Sequence, residues 1–273
     1  MGRSALHRLR ILRVGGADRE GLAAKMPSRH TLHRGPRRAP SPVSRSARRS
    51  PANAGDGPRT TIRGRADGLP DLSTYLAARL EAQLRPVRPE WDVIPAAVLV
   101  PIYQEHGRWS VLYTRRTETV DVHRGQVSFP GGRIDPLDHG PREAALREAE
   151  EEVGIPPEQV EILGTLGVLL TVTQFEVTPV IGRIAWPCPL RLNTHEVACA
   201  FGVPLDWLAD PAHVHRQQRM PPIPGREIAV YSFDAYLGET IWGATARITL
   251  DLVALWRGFA GENKKRSGTS PLR

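Results

Sequence analysis

The 273-residue chain predicts an α/β or α+β fold in which helices pack on a mixed sheet, and three observations carry that reading. From about Leu69 onward, β-rich runs alternate with stretches of helical period. Two of the runs, "VIPAAVLVPIY" and "WSVLYTRR", are separated only by "QEHGR", a Gly-containing turn of hairpin type. A Pro-Gly-Gly turn then precedes one strongly acidic helix, and no internal repeat is visible.

Each element follows from its pattern. "LPDLSTYLAARLEAQL" places Leu72, Tyr75, Leu76, Leu80 and Leu84 at helical spacing behind an Asp-Leu-Ser start. The two β-rich runs come next, then "GQVSFPGG", a short strand entering a tight turn. "PREAALREAEEEVGI" reads as a helix with Pro141 in its first turn and Gly154 at its stop. "VEILGTL", "FEVTPVIGRIAW" and "EIAVYSFDAYL" are strand candidates. "PLDWLAD" reads as a short helix and "GATARITLDLVALWRGF" as a long terminal one.

Charge divides the chain unevenly. Residues 1–70 carry 16 of the 37 basic and 4 of the 29 acidic side chains, net +12, which leaves 21 basic against 25 acidic, net −4. The high isoelectric point therefore describes an arm and is no evidence for a nucleic-acid-binding fold. Residues 1–68, rich in Arg, Ser, Pro and Gly, bury too little apolar surface to offset chain entropy and read as a disordered arm. Three uses fit it: a solvated tail or sequence upstream of the true start, a basic arm drawn weakly to RNA or a membrane, or an Arg-rich transit segment. The folded domain is expected over 69–260, with a disordered basic tail over 261–273. Cys188 and Cys199 lack zinc or disulfide-framework spacing. No apolar run approaches the ~18–20 residues that cross a bilayer, so the expectation is a soluble, cytoplasmic protein without a membrane partner.

The acidic helix carries the chemistry. Glu150, Glu151 and Glu152 lie toward its C-terminal end, where the macrodipole disfavours them. At 100° per residue, Leu146, Ala149 and Val153 share a core-facing side, while Glu148, Glu151 and Glu152 fall within an arc of about 100°. Glu150 lies elsewhere, close to the line of Glu143. Like charges at i,i+4, as in Glu148 and Glu152, cost ~0.2–0.5 kcal/mol per pair in exposed helices. Arg147 relieves part of this but does not neutralise three acids; a divalent cation would. Hard oxygen donors select Mg²⁺ or Mn²⁺, and magnesium usually bridges carboxylates to substrate phosphates. Gly131 and Gly132 allow the close backbone approach that a phosphate-side turn needs.

Together, "GG…REAEEEVGI" resembles the Nudix box, Gx5Ex7REUxEExGU with U apolar. Arg147, Glu148, Ala149, Glu151, Glu152, Gly154 and Ile155 match its second half in register. The first half is one residue longer than usual, and its early acid is Asp138 in place of Glu. That lengthened form resembles the coenzyme A pyrophosphatase branch, as do "LYTRR…H.GQVSFPGG" upstream and "FEVTPVIG", "LNTHEV…F.VPL" and "IWGATARI" downstream. The resemblance runs from about Val93 to Val253. One departure stands out: where the branch has Arg, eight residues before the Phe of FPGG, this chain has Asp121.

The resemblance implies a Nudix-type α/β/α sandwich around a mixed sheet and metal-dependent hydrolysis of coenzyme A or an acyl-CoA to 3′,5′-ADP and (acyl-)4′-phosphopantetheine. It implies Mg²⁺ or Mn²⁺ held by Glu148, Glu151, Glu152 and the Gly131 carbonyl, with Arg147 orienting the carboxylates. Asp138 either pairs with Arg147 or caps the helix. Glu196 is the best candidate general base outside the box and Glu239 a weaker one. Arg115, His123, Arg124, Gln126 and Gly132 are the expected contacts of a CoA-like nucleotide, with His123 and Arg124 near enough in sequence to replace the missing Arg. The alternatives are another nucleoside diphosphate linked to a moiety X, a basic-armed RNA-associated Nudix protein, or a catalytically silent binding domain. Retention of all three glutamates argues against the last, and no "SQPWPFP"-like stretch supports NADH as substrate.

Overall fold

A computed structural model describes residues 12–13, 71–80, 92–118, 124–219 and 228–266, all within one compact unit. Strand β1 (Leu12–Arg13) is followed by α1 (Leu72–Leu80), β2 (Ile94–Glu105), β3 (Arg108–Arg116), β4 (Val127–Ser128), β5 (Gly131–Arg133) and α2 (Pro141–Val153). Then come β6 (Val160–Thr165), β7 (Leu169–Leu170), β8 (Phe175–Ile184), β9 (Val197–Pro204), α3 (Leu205–Leu208), β10 (Val214–Arg219), β11 (Ile228–Phe233) and α4 (Gly243–Arg266).

The main sheet runs β1-β9-β3-β2-β8-β6, with β4 on β3, β5 on β2 and β7 on β8. β2 and β8 pair in parallel while the other described pairings are antiparallel, so the sheet is mixed as expected. β10 and β11 form a separate antiparallel pair. The β2–β3 hairpin turns at His106 and Gly107, both with positive φ (49° and 78°), the conformation that a two-residue hairpin turn requires.

Side chains alternate across the pleat and build two cores. Val100, Ile102, Val111, Tyr113, Ile181 and Phe201 face one way, joined by Leu76 and Leu80 of α1 and by Leu252 and Val253 of α4. Ala97, Leu99, Leu112, Val180 and Ala200 face the other way and receive Ala144, Ala145, Ala149 and Val153 of α2. The sheet is therefore sandwiched between α2 and the α1/α4 pair. Fully burying each Leu or Ile side chain here contributes ~1.5–3 kcal/mol.

Several boundaries differ from the sequence reading. β9, "VACAFGVP", was not expected as a strand, yet it pairs with β3 along seven register positions from Ser110↔Pro204 to Arg116↔Val197. β10 was also unexpected. Leu12 and Arg13, inside the arm, lie opposite Ala200 and Cys199 as a short edge strand. α4 continues to Arg266, six residues past the expected domain end. Both cysteines are free and buried. Among the described residues, no helix is long and apolar enough to cross a membrane.

Candidate active site

The turn that opens the site is anchored from the α4 side. Phe129 is buried and stacks on Tyr113 at 4.9 Å, and Thr245 Oγ1 of α4 donates to the Val127 carbonyl at 3.0 Å. This fixes Pro130, whose carbonyl accepts from Leu99 N at 2.8 Å, and delivers the two glycines against β2. A Cβ on Gly131 would collide with the backbone of Ala97 and Val98; one on Gly132 would collide with the Glu148 carboxylate. Both positions are glycine because something must approach closely.

The β2–β5 ladder decides which way the backbone groups point. Leu99 N bonds Pro130 O and Ile134 N bonds Pro95 O, so Gly131 and Arg133 fall at the non-hydrogen-bonded positions between them. Their amides and carbonyls are turned away from β2. Gly131 N–H donates to Glu152, and the Arg133 carbonyl accepts from Arg147 Nη2 at 3.2 Å.

α2 presents its acids to this strand. Pro141 occupies the first turn behind Gly140, and Gly154 ends the helix in the left-handed region, φ 70°. The loop after it satisfies the last carbonyls: Arg191 N bonds Val153 O and Asn193 N bonds Glu152 O, each at 2.9 Å. The Glu152 side chain is only 3% exposed and Glu148 17%, whereas Glu151 is 56% exposed. Glu148 and Glu152 thus converge under the turn, and Glu151 stands on the solvent shoulder.

Arg147 organises this helix face. Its Nε and Nη2 donate to Asp138 Oδ1 and Oδ2, each at 3.1 Å. Its Nη1 reaches Glu148 Oε1 at 3.0 Å and Glu151 Oε2 at 3.3 Å. Asp138 also accepts from Asp135 N at 2.8 Å, and no side chain caps the helix, so Asp138 is a partner of Arg147 and not a cap. This pair holds the Asp138 carboxyl below its usual range, chiefly through the Arg147 hydrogen bonds. Glu143 does not join Arg147; it pairs with His139 Nδ1 at 2.6 Å.

Electrostatically the pocket is short of positive charge. Burial pushes the Glu152 carboxyl up to about 8; Arg116 pulls it down, while Glu148 and Glu196 push it further up. Burial likewise raises Glu148, against the pull of Arg147 and with Glu151 and Glu196 adding to the rise. Glu196 is therefore within electrostatic reach of both. Its Oε1 accepts from Asn193 Nδ2 at 3.2 Å, and its backbone carbonyl accepts from Thr117 N at 2.8 Å.

The remaining sequence candidates are placed differently. Arg115 turns to the α4 side, with its guanidinium 3.4 Å from Glu239 and 3.5 Å from Glu118. Glu239 goes with it, close to Cys199 Sγ at 3.8 Å, on the opposite side of the sheet from α2. Arg124 is exposed; the Gln126 carbonyl accepts from Arg116 N at 3.0 Å. His123 and Asp121 lie outside the described residues. Sequence reasoning did not single out Arg116, whose Nη1 sits 3.5 Å from Glu152 Oε1.

The donor set suits a hard cation. A carboxylate pushed up by burial and then by two like charges, beside a glycine cradle and a carbonyl outside the ladder, lacks the charge that Mg²⁺ would bring. Among the described residues, no three His, Cys, Asp or Glu side chains close into a metal cage. An open site of two carboxylates is what magnesium, keeping waters and substrate phosphates as its other ligands, accepts.

The NUDIX domain family model matches residues 93–222. The chain is 41% identical over 188 residues to an uncharacterized Nudix hydrolase NudL of Pectobacterium atrosepticum, covering 67% of this chain and 92% of that protein. The chain belongs to the Nudix family. A NudL of Escherichia coli K12 is 39% identical over 157 residues, covering 58% of this chain and 80% of the relative. Among solved structures, the MutT protein from Methanosarcina mazei Go1 aligns at 20% identity and TM-score 0.38, over 65% of this chain and 99% of that one. As a Nudix hydrolase, the chain is an enzyme of the pyrophosphohydrolase class, acting on nucleoside diphosphate compounds, and the family typically uses a divalent metal.

Proposed function

We propose that this Nudix hydrolase cleaves the pyrophosphate bond of coenzyme A or an acyl-CoA to 3′,5′-ADP and (acyl-)4′-phosphopantetheine, with Mg²⁺ or Mn²⁺. The observation that carries the site is the buried Glu152 beside Glu148, the two facing a glycine-lined backbone with too little positive charge around them. The substrate rests on the ordered motifs between Val93 and Val253, which resemble the coenzyme A branch and include its lengthened box. The bidentate Asp138–Arg147 pair supports that reading, because it shows how the longer loop still delivers its acid to the arginine.

Glu148, Glu152 and the Gly131 carbonyl would hold the cation, with Glu151 at the solvent edge. Such a cation neutralises phosphate charge and makes water more acidic. Arg147 keeps Glu148 and Glu151 in place through its contacts with Asp138 and the Arg133 carbonyl. Glu196, steadied by Asn193, accepts the proton of the attacking water. Gly132 leaves room for the Glu148 carboxylate beside the turn. Gln126 and Arg124, on the segment before the turn, are the described candidates for contacts to the rest of the nucleotide, and His123 belongs to the same proposal.

The test is product analysis by mass spectrometry. The protein is incubated with Mg²⁺ or Mn²⁺ and a panel of CoA, NADH, ADP-ribose and oxidised dGTP. Equal amounts of 3′,5′-ADP and phosphopantetheine from CoA, abolished by EDTA, is the expected result. Cleavage of another member with CoA untouched would overturn the substrate assignment and make Asp121 the first residue to examine.

A further inference from the structure

Arg115 and Arg116 are consecutive at the end of β3, yet they serve opposite faces of the sheet. The β3–β9 register shifts between them, Arg115 opposite Cys199 and Arg116 opposite Val197, an irregularity of the kind that re-aims a strand end. Arg115 goes to Glu239 and Glu118. Arg116 goes to the α2 side and is the cation that faces buried Glu152.

That contact uses little of the guanidinium. Arg116 offers five N–H donors in a planar fork. One, on Nη1, reaches Glu152 Oε1 at the long distance of 3.5 Å, and Nε is buried with no hydrogen-bond partner among the described residues. Arg147 is the contrast, since its Nε, Nη1 and Nη2 all engage Asp138, Glu148, Glu151 or the Arg133 carbonyl. Arg147 has no donor group left over for a substrate, whereas Arg116 does.

The backbone beneath Arg116 is tied on both sides of the strand end. Arg116 N donates to the Gln126 carbonyl at 3.0 Å, and Thr117 N donates to the Glu196 carbonyl at 2.8 Å. The side chain rises from this fixed base toward Glu152, the carboxylate on which Glu148 and Glu196 also act. A buried guanidinium donor without an acceptor is costly, and an oxygen-rich anion in that space would supply one with the bidentate geometry arginine favours.

We infer that Arg116 is a phosphate-binding residue of this site, giving up Glu152 for a phosphate oxygen of the substrate when the carboxylates are taken up by a divalent cation. The inference rests on the assignment of Glu148 and Glu152 as cation ligands. In the cation-free protein Arg116 is only a distant hydrogen-bond partner of Glu152, at 3.5 Å. With the Glu152 oxygens taken up by a cation, the same guanidinium turns toward the pyrophosphate.

The test uses the full chain with inorganic pyrophosphate as probe, read by isothermal titration calorimetry in Mg²⁺, and Mn²⁺ binding read separately by electron paramagnetic resonance. Arg116→Gln should weaken pyrophosphate binding about tenfold or more, the loss expected for a charge-assisted contact. Mn²⁺ should bind Arg116→Gln as tightly as the wild type or tighter, since a competitor for Glu152 is gone. Arg116→Lys should fall between the two in pyrophosphate affinity; its melting temperature shows whether the fold is kept, so a poorly folding glutamine variant does not decide the matter. Unchanged pyrophosphate affinity in Arg116→Lys and Arg116→Gln with tightened Mn²⁺ would overturn the proposal and leave Arg116 as a counter-ion alone. So would a wild type that binds Mn²⁺ but not pyrophosphate. CoA turnover by the wild type is scored apart, so a wrong substrate and a wrong role for Arg116 give different results.

Discussion

Asp138 takes the Arg147 guanidinium side-on, Oδ1 from Nε and Oδ2 from Nη2, each at 3.1 Å. The remaining Nη1 donor is thereby aimed along the helix at Glu148 and Glu151. A planar fork is needed for this, and lysine does not have one. Arg147→Lys should lower turnover about a hundredfold through misplaced carboxylates, measured by steady-state kinetics at saturating Mg²⁺. The Asp138 carboxyl is held low, so its stabilising effect is present above the usual carboxylate range and is lost as pH falls through its depressed value. Asp138→Asn should remove that acid-limb dependence in thermal melts; an unchanged limb would mean that the pair contributes nothing to stability.

Gly132→Ala tests the cradle directly. The added methyl meets the end of the Glu148 side chain, which can swing aside, so the fold should survive while the carboxylate is displaced. Mn²⁺ affinity should drop about tenfold or more, with the melting temperature nearly unchanged. Equal Mn²⁺ binding in the variant would show that Glu148 does not need its observed position.

Glu152 sets the behaviour of the metal-free protein with pH. Its carboxyl is pushed up to about 8 against an ordinary 4.5, so the folded state keeps a proton that the unfolded chain releases. The stabilisation is complete below pH about 4.5 and disappears as pH rises through about 8. Chelated protein should therefore melt progressively lower across that window, and added Mg²⁺ should restore stability at the alkaline end. Glu152→Gln should flatten the slope and remove turnover by orders of magnitude. A flat profile in the wild type would contradict the charge description of the pocket.

Glu196→Gln separates proton transfer from cation binding. The residue is half-exposed and held by Asn193, so the substitution should leave the melting temperature nearly intact. Turnover should fall ~10²–10⁴-fold, the usual span for a general base, with Mn²⁺ affinity close to that of the wild type. Wild-type turnover would return the search for the base to the box itself.

Periodicity exposed some of this site and hid the rest. The β2–β3 hairpin and α2 were legible because their patterns are long and their turn residues, His106-Gly107 and Gly154, are required by backbone conformation. β9 was not, because "VACAFGVP" is buried along nearly its whole length and built from small residues, so neither alternation nor β-branched enrichment marks it. β10, "VHRQQR", is polar and, among the described residues, pairs with β11, and Val214 is its one hydrophobic side chain packed on the core, too little to print a pattern. On the helix, Glu151 lies about 60° from Glu148 on one side and Glu152 about 40° on the other. That arc is wide enough for Glu151 to end in solvent. Arg115 and Arg116 are indistinguishable as letters; only the choice of sheet face covered by α2 separates their roles.

The parallel pairing of β2 with β8 has a consequence for how the protein comes into being. Ile94 must find Phe175 across β3, β4, β5, α2, β6 and β7, a long loop to close before any contact repays it. The acidic helix lies inside that loop, and its core face rests on β2, β8 and β9 residues together. During synthesis, a nascent chain that has emerged only as far as α2 has β2 and β5 beneath the helix but lacks the β8 and β9 part of its platform. Gathering mutually repelling carboxylates is thus completed only when those later strands arrive, and a ribosome-bound fragment ending before Phe175 should bind Mn²⁺ more weakly than the full chain.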